Sequence, residues 1–500
     1  MQHLKLTVKN LIANPGTSFF SRAVLCLLSF FPPVRAAILF KRGEIARPLK
    51  LLRLATFGIP SAIALKSRLE EMQQYLMSDG FEKYCNEAPS LKYKKFNGVV
   101  LFAFHSCGYF HPSGYASRSI SILNSLARIG VRGLPITRLG YPWDISSGRA
   151  VPDTYSIEFE GHVFELKADK VYNLGSAETG YIDEYANWIF RRATSGNASV
   201  CHASSNYLNG LAVAQASRQL GVPSVYELRG LWHITRAFSD PDYENTEHYR
   251  YVERREVEAC LAVDHVITLS SAMKDWLVLR GVPSDKVSIV GNATHKLPYM
   301  DDTQQRNRIR ERYGIADDAV VIGYIGSLVE YEGLDLLVKG LVRVPESRRP
   351  LIFILGSGKA QVGLQRLAEH LQVTDYVVFG GRIPADEVSA HYLAMDFVAL
   401  PRRDHTLTRM VPAIKPYEAA GHGRRLLVSP ALATAIKGSM GDESYEIIDF
   451  ESPECLNDLL INKISTRAGS VPTWDDRAHH LKKIYNRLYC NDHSARSAGQ

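Results

Sequence analysis

Five hundred residues leave room for two or three domains, and 46% hydrophobic with 22% charged residues fits a globular enzyme, not a disordered chain or a fibre. The net charge of +7 sits at one end: as far as Arg68 eleven Lys and Arg stand against the single acid Glu44, a balance of +10 that leaves −3 for the remaining 432 residues. Seven scattered cysteines (Cys26, Cys85, Cys107, Cys201, Cys260, Cys455, Cys490) with no CxxC speak against a zinc site or a disulfide framework, and for buried thiols in a reducing compartment.

Residues 1–95 read as a basic helical extension. The apolar run Ala23–Phe31, with Ser29 as its one hydroxyl, is broken by Pro32 and Pro33 and is too short to span a bilayer. It starts too late for a signal peptide, and no clean small-residue cleavage site follows. Arg22, Arg35, Lys41, Arg42, Arg47, Lys50 and Arg53 flank it. Apolar helical pieces rimmed by cations suit the interface of an anionic membrane. A helical extension packed on the enzyme body suits the same residues. Nucleic acid, another partner for basic segments, is disfavoured because the segment is so apolar. Leu65–Tyr84 reads as an ordinary charged helix.

GVVLFAF (Gly98–Phe104) predicts a buried parallel strand. The loop His105–Gly114, a helix to about Arg128 and a strand in VRGLPITR follow, the opening of a doubly wound sheet. The loop is not GxGxxG. Gly114 suits either close approach of the backbone to a ligand or a plain turn. A strand over Ser199–His202, a helix over Tyr207–Leu220 and a strand over Ser224–Leu228 repeat the theme, and His265–Ser270 and Lys286–Asn292 read as further strands. His105 and His202 each follow a strand, as ligand-facing groups or as packed and capping histidines. Arg229 stands just past another strand.

DDTQQRNRIRERYG predicts a charged linker helix into a second parallel sheet, with strands in VVIGYIG, LIFILGSG (Leu351–Gly358), YVVFGG and DFVALP. The stretch Phe379–Pro430 carries the chemistry. Arg402 and Arg403 stand at the carboxyl end of the strand Phe397–Leu400, where open α/β sheets bind ligands. Arg409, Lys415 and Glu418 follow, the last on a helix that ends at Gly421 or Gly423. Cations and helix amino termini take phosphate, and a carboxylate accepts two ribose hydroxyls. There is no HxH and no DxD at a strand end, so no metal is expected. Residues 491–500 read as a polar tail.

The order GRIP, helix, DFVALPRR, VPAIKPYEAAGHGRRLLVS resembles the donor-nucleotide site of retaining glycosyltransferases of family 4, which have the GT-B fold. The resemblance extends to GYIGSLVEYEGLDLLVKGL (Gly323–Leu341), HSCGYFHPSGYASRSISILNSL (His105–Leu126), TRLGYPWD (Thr137–Asp144) and YELRGLWHITR (Tyr226–Arg236), roughly residues 98–490 in all. It implies an α/β protein of two Rossmann-like doubly wound domains facing a cleft. After the extension, 1–95, come an acceptor-side domain, 96–300, a nucleotide-sugar domain, 301–472, and a helix, 473–490, crossing back to the first domain. It implies transfer of a sugar from a nucleotide-diphosphate sugar to a glycan or lipid-linked acceptor, without metal or other cofactor. Envelope polysaccharide or lipopolysaccharide synthesis, on the inner face of the cytoplasmic membrane, is the expected setting.

The same resemblance places Glu418 on the ribose hydroxyls and Arg382 and Ile383 in the turn bordering the nucleobase. It places Gly326 and Ser327 after the first strand of the donor domain, and the loop ending at Gly114 toward the donor phosphates and the acceptor. Four departures stand out. Ser327 and Glu332 occupy the places of a usual basic pair. Met410 and Arg409 stand eight and nine residues before Glu418, where the first Glu of a pair is expected. Gly291-Asn292-Ala293 replaces a Pro-Asn-Gly turn, and Arg229 stands where relatives often keep His. The expelled diphosphate gains negative charge in the transition state and needs positive charge beside it, so the phosphate role moves to Arg402 or Arg403 and to Lys415. The departures also suit a degenerate relative that only binds nucleotide sugar or a partner enzyme. A nucleotide-sugar epimerase shares the architecture, but its acid and base carboxylates are not found.

Overall fold

The computed structural model describes residues 31–56, 58–78, 95–144, 155–168, 178–295, 303–461 and 471–490. The apolar run from Ala23, except Phe31, lies outside these residues, as do Arg22, Cys26, Cys85 and the tail 491–500. Packing divides the chain into two units. The first takes the chain to His111, with Leu134–Glu227 and Trp232–His265. The second takes Pro112–Gly133, Leu228–Leu231 and the chain from Val266. The division is interleaved, whereas contiguous segments 96–300 and 301–472 are the expectation from sequence.

In the first unit β1 (Val99–Phe104), β2 (Arg132–Thr137), β3 (Ser156–Phe159), β4 (His162–Glu165), β5 (Val200–Ser204) and β6 (Ser224–Leu228) lie in the order β3-β4-β2-β1-β5-β6. β1, β5 and β6 pair in parallel and are almost wholly buried; this explains the unbroken apolar run of β1, whereas β5 and β6 also bury His202, Ser204, Ser224 and Glu227. β3 and β4 form an antiparallel hairpin that the sequence reading did not mark. Glu160 and Gly161, at φ 51° and 76°, make the two-residue turn that favours such a hairpin.

The extension contributes helices Pro32–Lys41, Ala46–Leu54 and Pro60–Met77. Pro32 and Pro33, expected to break the apolar run before them, also begin a helix of their own after the extended Phe31, where a missing N–H costs nothing. The third helix starts at Pro60, five residues before the expected Leu65, for the same reason. These helices are packed into the first unit. Glu247 accepts the N–H groups of Ile45 (2.6 Å) and Ala46 (2.8 Å). Glu71 accepts those of Glu178 (2.7 Å) and Thr179 (2.8 Å), capping the helix Glu178–Ser195. Arg68 pairs with buried Glu178 at 2.9 Å, and Tyr207 and Tyr251 donate their hydroxyls to the same carboxylate at 3.0 and 2.7 Å. Burial alone would raise the Glu178 pKa. The Arg68 and Arg255 charges outweigh it and hold the carboxyl below its usual range.

In the second unit β7 (His265–Thr268) pairs in parallel with β8 (Val287–Ile289) through its residues from Val266. The six-stranded sheet of β9 (Val321–Ile325), β10 (Leu351–Leu355), β11 (Val377–Gly381), β12 (Phe397–Leu400), β13 (Arg425–Val428) and β14 (Tyr445–Ile447) is parallel throughout. Its order is β11-β10-β9-β12-β13-β14. The chain walks outward from β9 to β11 and returns on the other side of β9, so a topological switch point falls between β9 and β12. The helix Trp474–Cys490 packs against the helix Gly114–Arg128 within this unit: Lys482 donates to Ile129 O at 2.8 Å, and the Arg118 guanidinium lies 5.5 Å from the Trp474 ring centre.

β8 is shorter than Lys286–Asn292: Val290 N still donates to Thr268 O of β7 at 2.9 Å, but the carbonyls that follow turn to other partners. Arg118, buried, donates to Val290 O (2.7 Å), Gly291 O (2.9 Å) and Asn292 Oδ1 (3.1 Å), and Asn292 Nδ2 donates to Pro412 O (3.1 Å). Gly291-Asn292-Ala293 therefore serves as a junction inside the second unit. Among the described residues no helix is long and apolar enough to cross a membrane.

Arg68→Ala leaves Glu178 buried without its nearest cation. Removing one partner of a buried pair costs about 3 kcal/mol or more, so the first unfolding transition in urea should move to lower denaturant. A midpoint equal to that of the wild type would show that the extension is held by other contacts.

Candidate functional site

The loops that leave β9 and β12 meet at the switch point. The loop after β9 closes with a single turn, Glu330–Glu332, and Gly333 at φ 69°. A Cβ on Gly333 would collide with the Pro401 carbonyl, so only glycine lets the two backbones come this close. Arg403 N donates to Tyr331 O at 3.0 Å across the same contact. The juxtaposition puts Glu332 beside Arg402.

Glu332 is 1% exposed. Arg402 grips it with Nη2 at 2.9 Å and Nε at 3.3 Å, and Lys415 Nζ reaches Glu332 Oε1 at 2.7 Å. Arg402 also donates Nη1 to Val411 O at 3.1 Å and is itself buried. Lys415 Nζ donates to Tyr324 Oη at 2.8 Å, and that hydroxyl donates to Ser327 O at 2.8 Å. Gly326 makes the room: a Cβ there would run into Lys415 Cε.

Burial alone would raise the Glu332 carboxyl, but Arg402 and then Lys415 outweigh it and hold it down to about 2. Lys415 responds the other way. Burial pulls its pKa down, Glu332 pulls it up, and Arg402 repels it; burial prevails because Arg402 already matches the Glu332 charge. Two cations around one carboxylate leave a surplus positive charge, and Lys415 carries it.

Glu418 sits in the first turn of the helix Lys415–Gly421, which ends at the first of the two glycines expected to end it. Burial raises its pKa, against Lys415 and a 3.4 Å hydrogen bond from Tyr392. Gly114, next to the helix cap Ser113, would place a Cβ 3.7 Å from Ile414 Cδ1, so the start of that helix lies beside Lys415.

The other candidates are placed apart from this cluster. Arg403 is half-exposed and paired with Asp335 at 2.6 Å. Arg409 is exposed on the helix Thr406–Met410 and paired with Asp404. Arg382 is exposed and donates to Ser357 Oγ at 2.6 Å, in the loop after β10, and Ile383 packs partly into the core of the second unit. Ser327 is exposed, and its carbonyl takes the Tyr324 hydroxyl. Arg229 is buried and holds the start of the helix Gly114–Arg128 through Tyr115 O (3.0 Å) and Ser119 Oγ (2.6 Å).

In the first unit His105 follows β1 and meets the Trp232 ring edge-on at 4.7 Å. His202 does not follow a strand: it lies inside β5, fully buried against Phe102, because β5 runs two residues further, to Ser204. Among the described residues no three His, Cys, Asp or Glu converge to hold a metal.

With this geometry in place, likeness to known proteins decides the family. The family described as Glycosyl transferase 4-like domain matches residues 121–293, and Glycosyl transferases group 1 matches residues 305–420. The chain belongs to the family 4 type of GT-B glycosyltransferases. A GDP-mannose-dependent alpha-(1-6)-phosphatidylinositol monomannoside mannosyltransferase of Mycolicibacterium smegmatis is 39% identical over 109 residues, 21% of this chain and 28% of the relative. A D-inositol 3-phosphate glycosyltransferase of Xylanimonas cellulosilytica is 25% identical over 265 residues, 51% of this chain and 61% of the relative. The matches thus span less than two thirds of these relatives' lengths. Among solved structures, Anabaena Alr3699/HepE in complex with UDP superposes with TM-score 0.55 at 16% identity, over 80% of this chain and 100% of that one. That likeness shows the fold, two parallel-sheet α/β domains of GT-B type.

Glu332 is the site residue whose role sequence reasoning missed, noted there only as a departure from a basic pair. Its partners lie 70 and 83 positions away. No local signal marks the pairing: Arg402 is followed by Arg403, Asp404 and His405, so its burial is not legible from its neighbours.

Gly326 stands at φ 153°, and a side chain there displaces Lys415. Gly326→Ala should cost about 1–3 kcal/mol in backbone strain and weaken binding of a nucleoside diphosphate. Urea titration and calorimetry read the two effects, and unchanged affinity would place the ligand away from Lys415.

Proposed function

We propose that the protein is a retaining glycosyltransferase that moves a sugar from a nucleoside-diphosphate sugar to a glycan or lipid-linked acceptor without a metal ion. The observation that carries this reading is the surplus positive charge of the Lys415–Glu332–Arg402 cluster at the switch point between β9 and β12, with Glu418 one helical turn beyond Lys415. In the reaction the bond between the sugar C1 and the diphosphate oxygen breaks, and its electron pair leaves with the phosphate. The acceptor oxygen bonds C1 on the same face, and its proton passes to the departing phosphate oxygen. Retention by this route needs no enzymic nucleophile. Lys415 meets the charge that grows on the diphosphate, in a setting partly shielded from water where each charge counts for more. Glu418 accepts the ribose hydroxyls, Arg382 and Ile383 border the base, and Gly326 and Gly114 let backbone approach the ligand. Arg403 adds positive charge at the rim. Arg229 holds the helix behind Gly114, and Arg409 and His202 stand outside the proposal. His105, after β1, stays a candidate on the acceptor side.

The Mycolicibacterium relative is named for a lipid acceptor, which supports a lipid-linked acceptor here; envelope polysaccharide or lipopolysaccharide synthesis is the setting proposed for it. The surface of the extension supports attachment to the inner face of an anionic membrane. Arg35, Lys41, Arg42, Arg47, Lys50 and Arg53 are exposed, and Leu54 is 79% exposed beside them. Each such cation near an anionic leaflet is worth about 1 kcal/mol.

A second reading, a non-catalytic binder of nucleotide sugar, is favoured by Ser327, Glu332 and Met410. Incubation with a panel of nucleotide sugars, with and without acceptor, separates the two: release of nucleotide with transfer supports the enzyme, binding alone supports the second reading, and an isomerised donor would make the protein an epimerase.

In that assay Lys415→Ala should lower turnover and Glu418→Ala should weaken donor binding, each by roughly ten- to a hundredfold, the cost of one charge-assisted hydrogen bond. Chelator should leave the wild-type rate unchanged; loss of activity regained with one divalent ion would overturn metal independence. Membrane attachment is read by co-sedimentation with acidic vesicles. Lys50→Glu with Arg42→Glu should abolish binding that weakens as salt rises. These substitutions are chosen over deletion of residues 1–68, which would also remove Arg68 from Glu178. Equal binding by the charge-reversed protein would remove the extension from the membrane reading.

A further inference from the structure

Glu332 stands in a loop that borders the proposed phosphate site, where an exposed acid would repel the ligand. It is not exposed, and its hydrogen bonds form a hierarchy. Arg402 is the anchor, with Nη1 on Val411 O and the fork of Nε and Nη2 on Glu332. That fork fixes both carboxylate oxygens in one plane. Glu332 Oε1 in turn takes Lys415 Nζ at 2.7 Å. Lys415 has three N–H groups; Glu332 and the Tyr324 hydroxyl take two of them. The remaining one is available to a ligand oxygen.

We infer that Glu332 is a positioning residue, held by Arg402, that sets Lys415 as the cation meeting the leaving diphosphate. The inference rests on the functional reading above and divides its cations: Lys415 touches the phosphate, whereas Arg402 acts through Glu332. The charged and titratable groups around Lys415 are Tyr324 from β9, Glu332 from the turn after it, Arg402 after β12 and Glu418 on its own helix. Burial holds the Tyr324 hydroxyl well above its usual range, so it does not produce the basic limb, and burial raises the Glu418 carboxyl as well. Glu332 raises the Lys415 pKa. Its removal therefore lets Lys415 lose its proton at lower pH.

The test uses the full chain and measures binding of UDP and of GDP by calorimetry, and donor turnover, on the alkaline side of neutrality. The wild type should bind one of the two and lose affinity as Lys415 deprotonates. In Glu332→Gln the alkaline loss should begin at lower pH, with affinity at neutral pH down about tenfold. Glu332→Asp keeps the charge but draws it back by one methylene, so it should keep the limb near its wild-type position while losing affinity. It also serves if the Gln variant fails to fold. In the pair Glu332→Gln with Lys415→Ala, binding should be no weaker than in Lys415→Ala alone. A Glu332→Gln variant with wild-type affinity and limb, or a double variant far weaker than Lys415→Ala, overturns the assignment while leaving the functional reading intact. A wild type that binds neither of these nor any other nucleoside diphosphate overturns both.

Discussion

A carboxylate cannot be taken out of water unless opposite charge comes with it, and Glu332 imposes that requirement on the loops at the carboxyl ends of β9 and β12. Its pKa is held at about 2 only because Arg402 and Lys415 are both within hydrogen-bond reach. Lys415 fits only because Gly326 has no side chain, and Arg402 reaches only because Gly333 lets the β9 and β12 loops touch. Those loops adjoin only because the sheet order reverses between β9 and β12. Topology, two glycines and three charges are thus one arrangement. Its surplus positive charge is oriented before any ligand arrives, the condition under which electrostatic stabilisation of a developing anion is most effective.

The first unit solves the same problem for a different end. Glu178 is buried, and two arginines and two tyrosines surround it, but one of those arginines belongs to the extension. With Glu71 and Glu247 each bonding two backbone N–H groups across the same packing, residues 32–78 are part of the unit's interior and not an appendage. Of its outward cations, Arg47 and Arg53 pair with Glu44 and Glu70 within the extension. The basic character legible in the sequence therefore divides: Arg68 is structural, while Arg42 and Lys50 are left to the surface.

Where burial alone dictates structure, the sequence is easily read. Phe397–Leu400 is a strand with the expected bounds because it is apolar, buried on both faces and stopped by Pro401. Tyr207–Leu220 and Ser224–Leu228 match for similar reasons. Reading falters where a local signal has two meanings. Pro32 and Pro33 can end a helix or begin one. His202 lies inside β5 because the strand continues through Ala203 to Ser204, and neither residue type marks a strand end. The β3–β4 hairpin had a fair signal in Glu160-Gly161 between alternating residues. Arg118 had one too, falling on the apolar stripe of its helix with Ile122 and Leu126. In the site, Lys415 and Glu418 were legible as chemistry, but their partners were not, because ion pairs across 70 or more residues leave no periodic trace.

The position of Glu332 bears on how a departure from a family pattern should be weighed. Compared position by position, an acid where a cation is usual looks like loss of the phosphate site. Compared by charge in space, the site keeps its sign: Arg402 cancels Glu332, and Lys415 contributes from the neighbouring helix the charge that the β9 loop no longer supplies. A degenerate binder has no physical need to bury an acid between two cations, since apolar residues would fill the same volume at no desolvation cost. The expense of keeping Glu332 charged there is intelligible if Lys415 must stand in one place, as the proposed meeting with a leaving diphosphate would demand.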